Sequence, residues 1–461
     1  MIERICPRCR VPMNGDKCVK PNCGCATKMS STIYWCENCN VPIYEKFCPK
    51  CGKEGKYVTT DIRPVFPEEN ALISIILKND PVKYQKSSVW CGNGVYIIDG
   101  KKVRLSVSKV NALPIEEIKL IKEKYDAFAN EIKYDFFDQH IKNFVEANKD
   151  RYNYITEEAV SFIQKYENKY AIEDMMVSFS GGKDSTVTSH LVNRALGTNK
   201  VLHVFGDTTL EFPYTLEYKK RFNKNEESQG VRVLTAKNRE KNFEQLCDVV
   251  GPPSRVMRWC CTVFKTGAIQ KTIASAFKDK KNILSFQGIR RSESLSRSKY
   301  ERESESPKIS KQTVASPIIN WIDFDVWLYI LTTKIDFNYA YRLGWTRVGC
   351  WCCPNNGGWS EFLAKIHMYD QYEHWHSLLV NFAQKIGKPD PEEYINEGGW
   401  KARQGGNGLE AAQTSVVSFE PCATDDKAFN YELQRPITEE LYEHLVILTR
   451  NLEINVLVKF T

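Results

Sequence analysis

"SFSGGKDST", residues 178–186, ends an apolar run, "MMVSFS" (175–180), and leads into a helical pattern. A glycine pair at such a strand-to-helix join lets successive backbone amides point the same way, at the positive end of the helix that follows. Ser180, Gly181, Gly182, Lys183, Asp184 and Ser185 would then offer amides, hydroxyls and an ammonium to an anion, and a phosphate group suits that set. The spacing differs from G-x-x-x-x-G-K-[ST], so the stretch does not predict a Walker-type NTPase.

Working outward, "VLHVFG" (201–206), "VRVLT" and "ILSFQ" (283–287) are short apolar runs, with helical text in "TLEYKKRF" and in residues 242–250 between them. Alternation of this kind predicts an α/β fold, a doubly wound and mostly parallel sheet with both faces covered. Ligands of such sheets sit at the carboxyl ends of the strands. Residues 53–113 read as a small β-rich domain in which "VYIIDGKKVRLSV" (95–107) turns at Asp99-Gly100. Residues 114–170 read as a helical connector into the domain at 171–358, and 359–461 as an α/β extension. That extension closes with "SVVSFE", "TEELYEHLVILTRNL" and "INVLVKF", a strand-helix-strand pattern. Within the central domain, "RRSESLSRSKYERESESPKISKQ" (290–312) is polar enough to predict a mobile loop.

No apolar run approaches the roughly 20 residues that span a bilayer, and the opening "MIERICPRC" lacks a signal-peptide core, so a cytoplasmic protein without a membrane partner is expected. A net charge of +7 admits an anionic substrate or nucleic acid and requires neither. Seventeen cysteines, an odd number grouped by C-x-x-C spacing, point to metal ligands rather than disulfides.

Nine of them fall in residues 1–51. The spacing predicts a Cys-rich module at 1–52 with two tetrahedral zinc sites. One takes Cys6, Cys9, Cys18 and either Cys23 or Cys25; the other takes Cys36, Cys39, Cys48 and Cys51. So short a segment has little core of its own, and bound metal would supply much of its folding free energy. A rubredoxin-like iron site has the same four-thiolate requirement and is the alternative.

Six stretches carry a resemblance: "SFSGGKDS", "GDTTLEFP" (206–213), "RWCCTVFK" (258–265), "GIRRSESLSR" (288–297), "PIINWIDFDVWLYI" (317–330) and "GCWCCP" (349–354). In this order the chain resembles the PAPS/APS reductase family of the PP-loop ATP pyrophosphatase superfamily. The resemblance implies a bound adenylyl nucleotide, ATP, APS or PAPS. It also implies a 4Fe-4S cluster held by Cys260, Cys261, Cys350 and Cys353, with 88 residues between the two pairs. A further zinc site or free thiols is the alternative. A doubly charged cluster and a doubly charged anion ~10 Å apart repel by roughly 6–7 kcal/mol at an effective dielectric of ~20, so cations must stand between them.

The resemblance gives that place to Lys265 and names Lys183, Arg290, Arg291 and Arg297 as the other cations. With Asp184, the residues Lys183, Lys265, Arg290 and Arg297 are its catalytic candidates. Asp207 and Glu211 would contact the nucleotide and could hold magnesium. "WIDFDVW" reads as packing and a helix start.

The family's reductases attack with a cysteine in a C-terminal Glu-Cys-Gly-Leu-His tail, which this sequence lacks. The spare thiols are Cys352, inside the ligand loop, and Cys422, in "FEPCATDD". Three readings follow. The first is ATP-dependent sulfur transfer to a nucleic acid, tRNA or DNA, or another acceptor, with a protein sulfur donor. The second is sulfonucleotide reduction that releases sulfite. The third is a non-catalytic nucleic-acid-binding or assembly subunit.

Overall fold

A computed structural model describes residues 3–6, 12–13, 17–21, 23–25, 28–224, 230–240, 242–294, 296–306, 311–401, 417–421 and 429–433. The described chain forms two compact units. One joins residues 1–251 to 259–378, and the other joins 252–258 to the residues from 379 onward. Among the described residues, no helix is long and apolar enough to cross a membrane.

The core of the first unit is a six-stranded sheet. Its strands are β1 (Met175–Ser178), β2 (Leu202–Asp207), β3 (Val233–Lys237), β4 (Ile283–Gln287), β5 (Glu303–Glu305) and β6 (Gln312–Ala315), in the order β3-β2-β1-β4-β6-β5. All pairings are parallel except β5 with β6. The helices that interleave them are α1 (Lys183–Leu196), α2 (Pro213–Phe222), α3 (Phe243–Val250), α4 (Gly267–Ala276) and α5 (Asp323–Thr333). The interior strands β1 and β4 are almost wholly buried, as apolar strands covered on two faces must be. The sheet is therefore the expected doubly wound one. Its order reverses between β1 and β4, and the carboxyl ends of those strands frame the crevice where such folds take ligands.

Two expectations change. The β-rich reading of 53–113 fails over residues 67–76, where the chain forms a helix, Pro67–Ile76. Pro67 opens that helix, Glu68 and Glu69 complement its dipole, and its apolar residues are buried all round, so no two-residue alternation was there to read. The polar stretch 290–312 carries β5, an edge strand with all three residues exposed, preceded by two short 3₁₀ turns. Glu and Ser on an edge strand keep it from pairing with other chains, and the same polarity makes it read as a loop. The last two segments of the strand-helix-strand ending lie outside the described residues.

The small β-rich segment forms a four-stranded antiparallel sheet of Arg63–Pro64, Val89–Gly92, Val95–Ile98 and Lys101–Val103. Asp99 and Gly100, both at positive φ, make the expected hairpin turn. Helices Ile115–Phe128, Asp135–Ala147 and Lys149–Gln164 follow. Arg151 of the last makes a bidentate pair with Asp325 at 2.9 Å, which fastens it to the start of α5.

Beneath the small sheet, Arg63 donates twice to Glu69 at 2.6 Å, and Tyr96 Oη donates to the same carboxylate at 2.9 Å, all three residues being buried. Taking away one partner strands the other charge in the core. Glu69→Gln is expected to lower the unfolding free energy by about 3–5 kcal/mol, measured by urea titration.

Candidate nucleotide and metal sites

The loop after β1 is held by its own hydroxyls. Ser185 Oγ accepts from Ser180 N at 3.2 Å and donates to Gly182 O at 2.9 Å, while Ser180 Oγ accepts from Gly182 N at 3.4 Å. Gly181 sits at φ +71°, where a Cβ would also come within 3.0 Å of Thr215, so glycine is needed there. Asn338 Nδ2 donates to Gly181 O at 3.3 Å, and Tyr341 Oη accepts from Lys183 N at 3.0 Å. Loop and helix start are thus braced from outside by residues that the sequence did not single out.

Behind the loop lies a network of buried charge. Lys183 is 4% exposed; its ammonium donates to Thr346 O at 3.1 Å and stands 3.4 Å from Asp323 and 3.6 Å from Asp184. Arg290, also 4% exposed, donates through Nε to Asp184 at 2.6 Å and through Nη2 to Asp323 at 2.7 Å. Asp61, arriving from the small-sheet segment, accepts the amides of Asp323 and Phe324 at 3.0 Å and so caps α5.

Burial alone would raise the Asp323 carboxyl, but Lys183 and Arg290 hold it down at about 2. Burial, and then the Asp323 charge, push Asp61 up to about 7. Against the effect of burial, Asp184 and Asp323 raise Arg290 well above its usual range. Gly288 belongs to this packing, since a Cβ there would lie 2.6 Å from Asp184 O.

The other arginines of the "GIRRSESLSR" stretch do different work. Arg291 donates to Tyr300 O at 2.9 Å and to Asn320 at 2.8 Å, bracing the loop, and Arg297 pairs with Glu293. Asp207, at the end of β2, accepts from Thr209 N at 2.9 Å and lies 3.4 Å from Lys237.

Glu211 turns toward the thiols. It accepts from Thr208 Oγ1 at 2.8 Å, and its backbone forms an antiparallel bridge with Cys350. Burial raises its carboxyl, with Lys265 opposing. Thr208 Oγ1 is also 3.3 Å from Cys350 Sγ. Burial pushes Cys350 up to about 12, and the charges of Glu211, Lys265 and Cys353 all reach it. Cys260 is raised by a hydrogen bond with Cys261, by burial, and by the charges of Cys261, Cys350 and Cys353; among the described residues these four thiols are not gathered within 4.8 Å as the N-terminal sets are. The tandem cysteines begin a π-helical turn, Cys261–Thr266, that runs into α4; interruptions of this type recur at functional sites.

In the N-terminal segment, the thiols of Cys36, Cys39, Cys48 and Cys51 lie within 4.8 Å of one another, with Cys36–Cys51 at 3.4 Å and Cys39–Cys48 at 3.8 Å. Zinc–sulfur bonds of about 2.3 Å require sulfur–sulfur edges near ~3.8 Å, so the set fits a tetrahedral ion. The amide of Cys39 already points at Cys36 Sγ, 3.4 Å away. The second group contains Cys6, Cys23 and Cys25; Cys18 stands outside it, and Cys9 lies outside the described residues. Cys23 and Cys25, weighed as alternatives, therefore occur together.

Residues 174–356 match the phosphoadenosine phosphosulfate reductase domain. Two uncharacterized proteins of Methanocaldococcus jannaschii are each 30% identical to the chain. One match covers 70% of the chain and 64% of the relative, and the other covers 66% and 68%. The chain thus spans about two thirds of these relatives' length. An adenosine 5'-phosphosulfate reductase of Neisseria meningitidis serogroup B is 24% identical over 41% of the chain and 70% of the relative. A sulfate adenylyltransferase subunit 2 of Alkalilimnicola ehrlichii is 25% identical over 35% and 58%. Fold and loop define a PP-loop protein of the adenine nucleotide class. The chain belongs to the phosphoadenosine phosphosulfate reductase family.

The two arginines of the loop should separate on substitution. Arg290→Met leaves two half-buried carboxylates short of a buried cation and is expected to lower stability by about 2–4 kcal/mol, whereas Arg297→Met should cost under about 1 kcal/mol. Asp61 gives a pH signature. Its folded value lies above the unfolded value of 3.8, so the folded state binds the extra proton between pH 3.8 and about 7, and stability falls as pH rises across that window. In Asp61→Asn that fall should be absent from urea midpoints taken at intervals from pH 4 to pH 8.

Proposed function

We propose that the protein binds an adenylyl nucleotide beside a 4Fe-4S cluster and uses ATP to activate an acceptor for sulfur transfer, the acceptor being a nucleic acid or another large molecule. The observation that carries this reading is the end of β2. A Cβ built on Gly206 would lie 3.9 Å from Lys265, and the charge of Lys265 reaches both Glu211 and Cys350. Lys265, in the turn Cys261–Thr266, therefore packs at the end of β2, the strand next to the one that carries the anion-binding loop, where repulsion between two anionic groups has to be offset.

Cys260, Cys261, Cys350 and Cys353 would hold the cluster, which with four thiolates supplies charge and rigidity rather than an open iron. The chain's own residues bind and orient. The amides of Ser180, Gly182 and Lys183, bonded in this structure to the hydroxyls of Ser185, Ser180 and Tyr341, exchange those bonds for phosphate oxygens, and the Lys183–Arg290–Asp323 network fixes the loop in place. An acceptor oxygen attacks the α-phosphorus of ATP, and the bond to pyrophosphate breaks. Sulfide-level sulfur then displaces that oxygen, which leaves with AMP.

A thiol-dependent reductase needs a reachable, activated thiolate. Cys352 is 7% exposed, and burial drives its thiol well above the usual range. Burial likewise pushes Cys247 up to about 12. Cys422 lies outside the described residues. The likeness to a phosphosulfate reductase keeps sulfite release as the second reading.

Anaerobically purified protein incubated separately with ATP, APS and PAPS tests this reading. Pyrophosphate and AMP from ATP, with water taking the acceptor's place, and no sulfite from either sulfonucleotide is the expected result; sulfite release establishes the reductase instead. Metal analysis of the same sample should find zinc in the N-terminal thiol sets and about four irons per chain, with Cys260→Ser losing the iron and the brown absorbance while keeping the zinc.

A further inference from the structure

A cavity of about 360 Å³ opens between the small antiparallel sheet and the network of Lys183, Arg290 and Asp323. That volume lies within the range of small-molecule sites. Asp61, Arg63, Tyr96, Leu105 and Val107 line it from the small-sheet side, and Asp323, Thr346 and Trp359 from the catalytic side. The small sheet lies outside the matched reductase domain, 174–356, so this wall is supplied by a part of the chain that the family match does not cover.

Two features give the cavity a chemical preference. First, Asp323 and Thr346 are the groups that hold the Lys183 ammonium, so an occupant would lie against the network that fixes the phosphate loop. Asp323 directs Oδ1 at Arg290 and Lys183, and its side chain, 28% exposed, lines the cavity. Second, the rest of the wall joins an aromatic and aliphatic part, Trp359, Leu105 and Val107, to the polar groups of Arg63, Asn93 and Tyr96. Trp359 is anchored by its indole N–H to Gly344 O at 3.2 Å, and Val107 packs 3.5 Å from the place of a Cβ on Gly358. A carboxylate acceptor beside an aromatic and aliphatic wall suits a planar ring with N–H donors on its edge and disfavours a free anion.

We propose that this cavity is the acceptor pocket and that it takes a planar, hydrogen-bond-donating heterocycle, a nucleobase, with its donor edge on Asp323. The assignment rests on the sulfur-transfer reading for its role, but its occupancy can be measured without turnover.

Free nucleosides carry no phosphate for the loop to hold, so they probe the cavity alone. In protein labelled with 5-fluorotryptophan, with the Trp359 resonance assigned from Trp359→Phe, uridine, cytidine or guanosine should shift that resonance saturably. 3-Methyluridine, which has lost the ring N–H of uridine, should bind more weakly than uridine. Val107→Trp fills the cavity and should weaken binding by about tenfold or more while pyrophosphate release from ATP alone is retained. If its melting temperature falls by more than about 5 °C, Leu105→Phe replaces it as the test.

Absence of any nucleoside-induced shift at Trp359 overturns the proposal, as does nucleoside affinity unchanged in the filled-cavity variant. Nucleoside binding in a protein that releases no pyrophosphate from ATP would keep the pocket and sink the sulfur-transfer reading. Pyrophosphate release without nucleoside binding would do the reverse.

Discussion

The arrangement depends on a cluster of charges withdrawn from water. Lys183 and Arg290 share Asp184 and Asp323, with Asp61 closing the far side through the amides of α5. Isolated, any of these charges would be expensive to bury; together they leave each ion with a partner at hydrogen-bond distance. The network joins four pieces of chain that are distant in sequence: the small-sheet segment, the start of α1, the turn after β4 and the start of α5. A phosphate-binding turn needs its amides in place before the ligand arrives, and this network supplies the fixed backing.

The same economy of charge operates on the side of the thiols. Cys350 is tied to Thr208 and bridged to Glu211, so the second cysteine pair is carried by the strand end that also bears Asp207. Lys265 follows the first cysteine pair and brings a cation into the same place. Anion loop and thiols are therefore positioned from neighbouring strands, β1 and β2, and their mutual orientation is set by one parallel pairing.

Much of this was legible in the sequence, and the gaps have physical causes. Strand-loop-helix order around Gly181 and Gly182, and apolar strands of uniform type, specify the sheet because both are local signals. The C-x-x-C pairs at Cys36 and Cys48 are local as well, and the fold gathers them as four. Helix Pro67–Ile76 was not legible, because a short helix buried on every side loses the period that distinguishes it from a strand. Strand β5 was hidden by its own exposure.

The supporting residues of the loop left almost no trace. Asp61, Asn338, Tyr341 and Thr346 act across long sequence separations, and nothing beside them in the chain marks the contact. Asp323 had a signal: it lies in "WIDFDVW", read as packing and a helix start, and it also serves as a counterion. Lys183 and Arg290 were expected to face the ligand, and in the fold both also take part in the buried network.

The central claim, that an adenine nucleotide binds next to a thiol-held iron–sulfur cluster, is tested most directly by electron paramagnetic resonance. The oxygen-free, dithionite-reduced protein would be titrated with ATP. The account predicts the signal of a reduced 4Fe-4S cluster whose g values or line shape change saturably with nucleotide. A protein with no such signal, or one whose spectrum ignores ATP at every concentration, would contradict it.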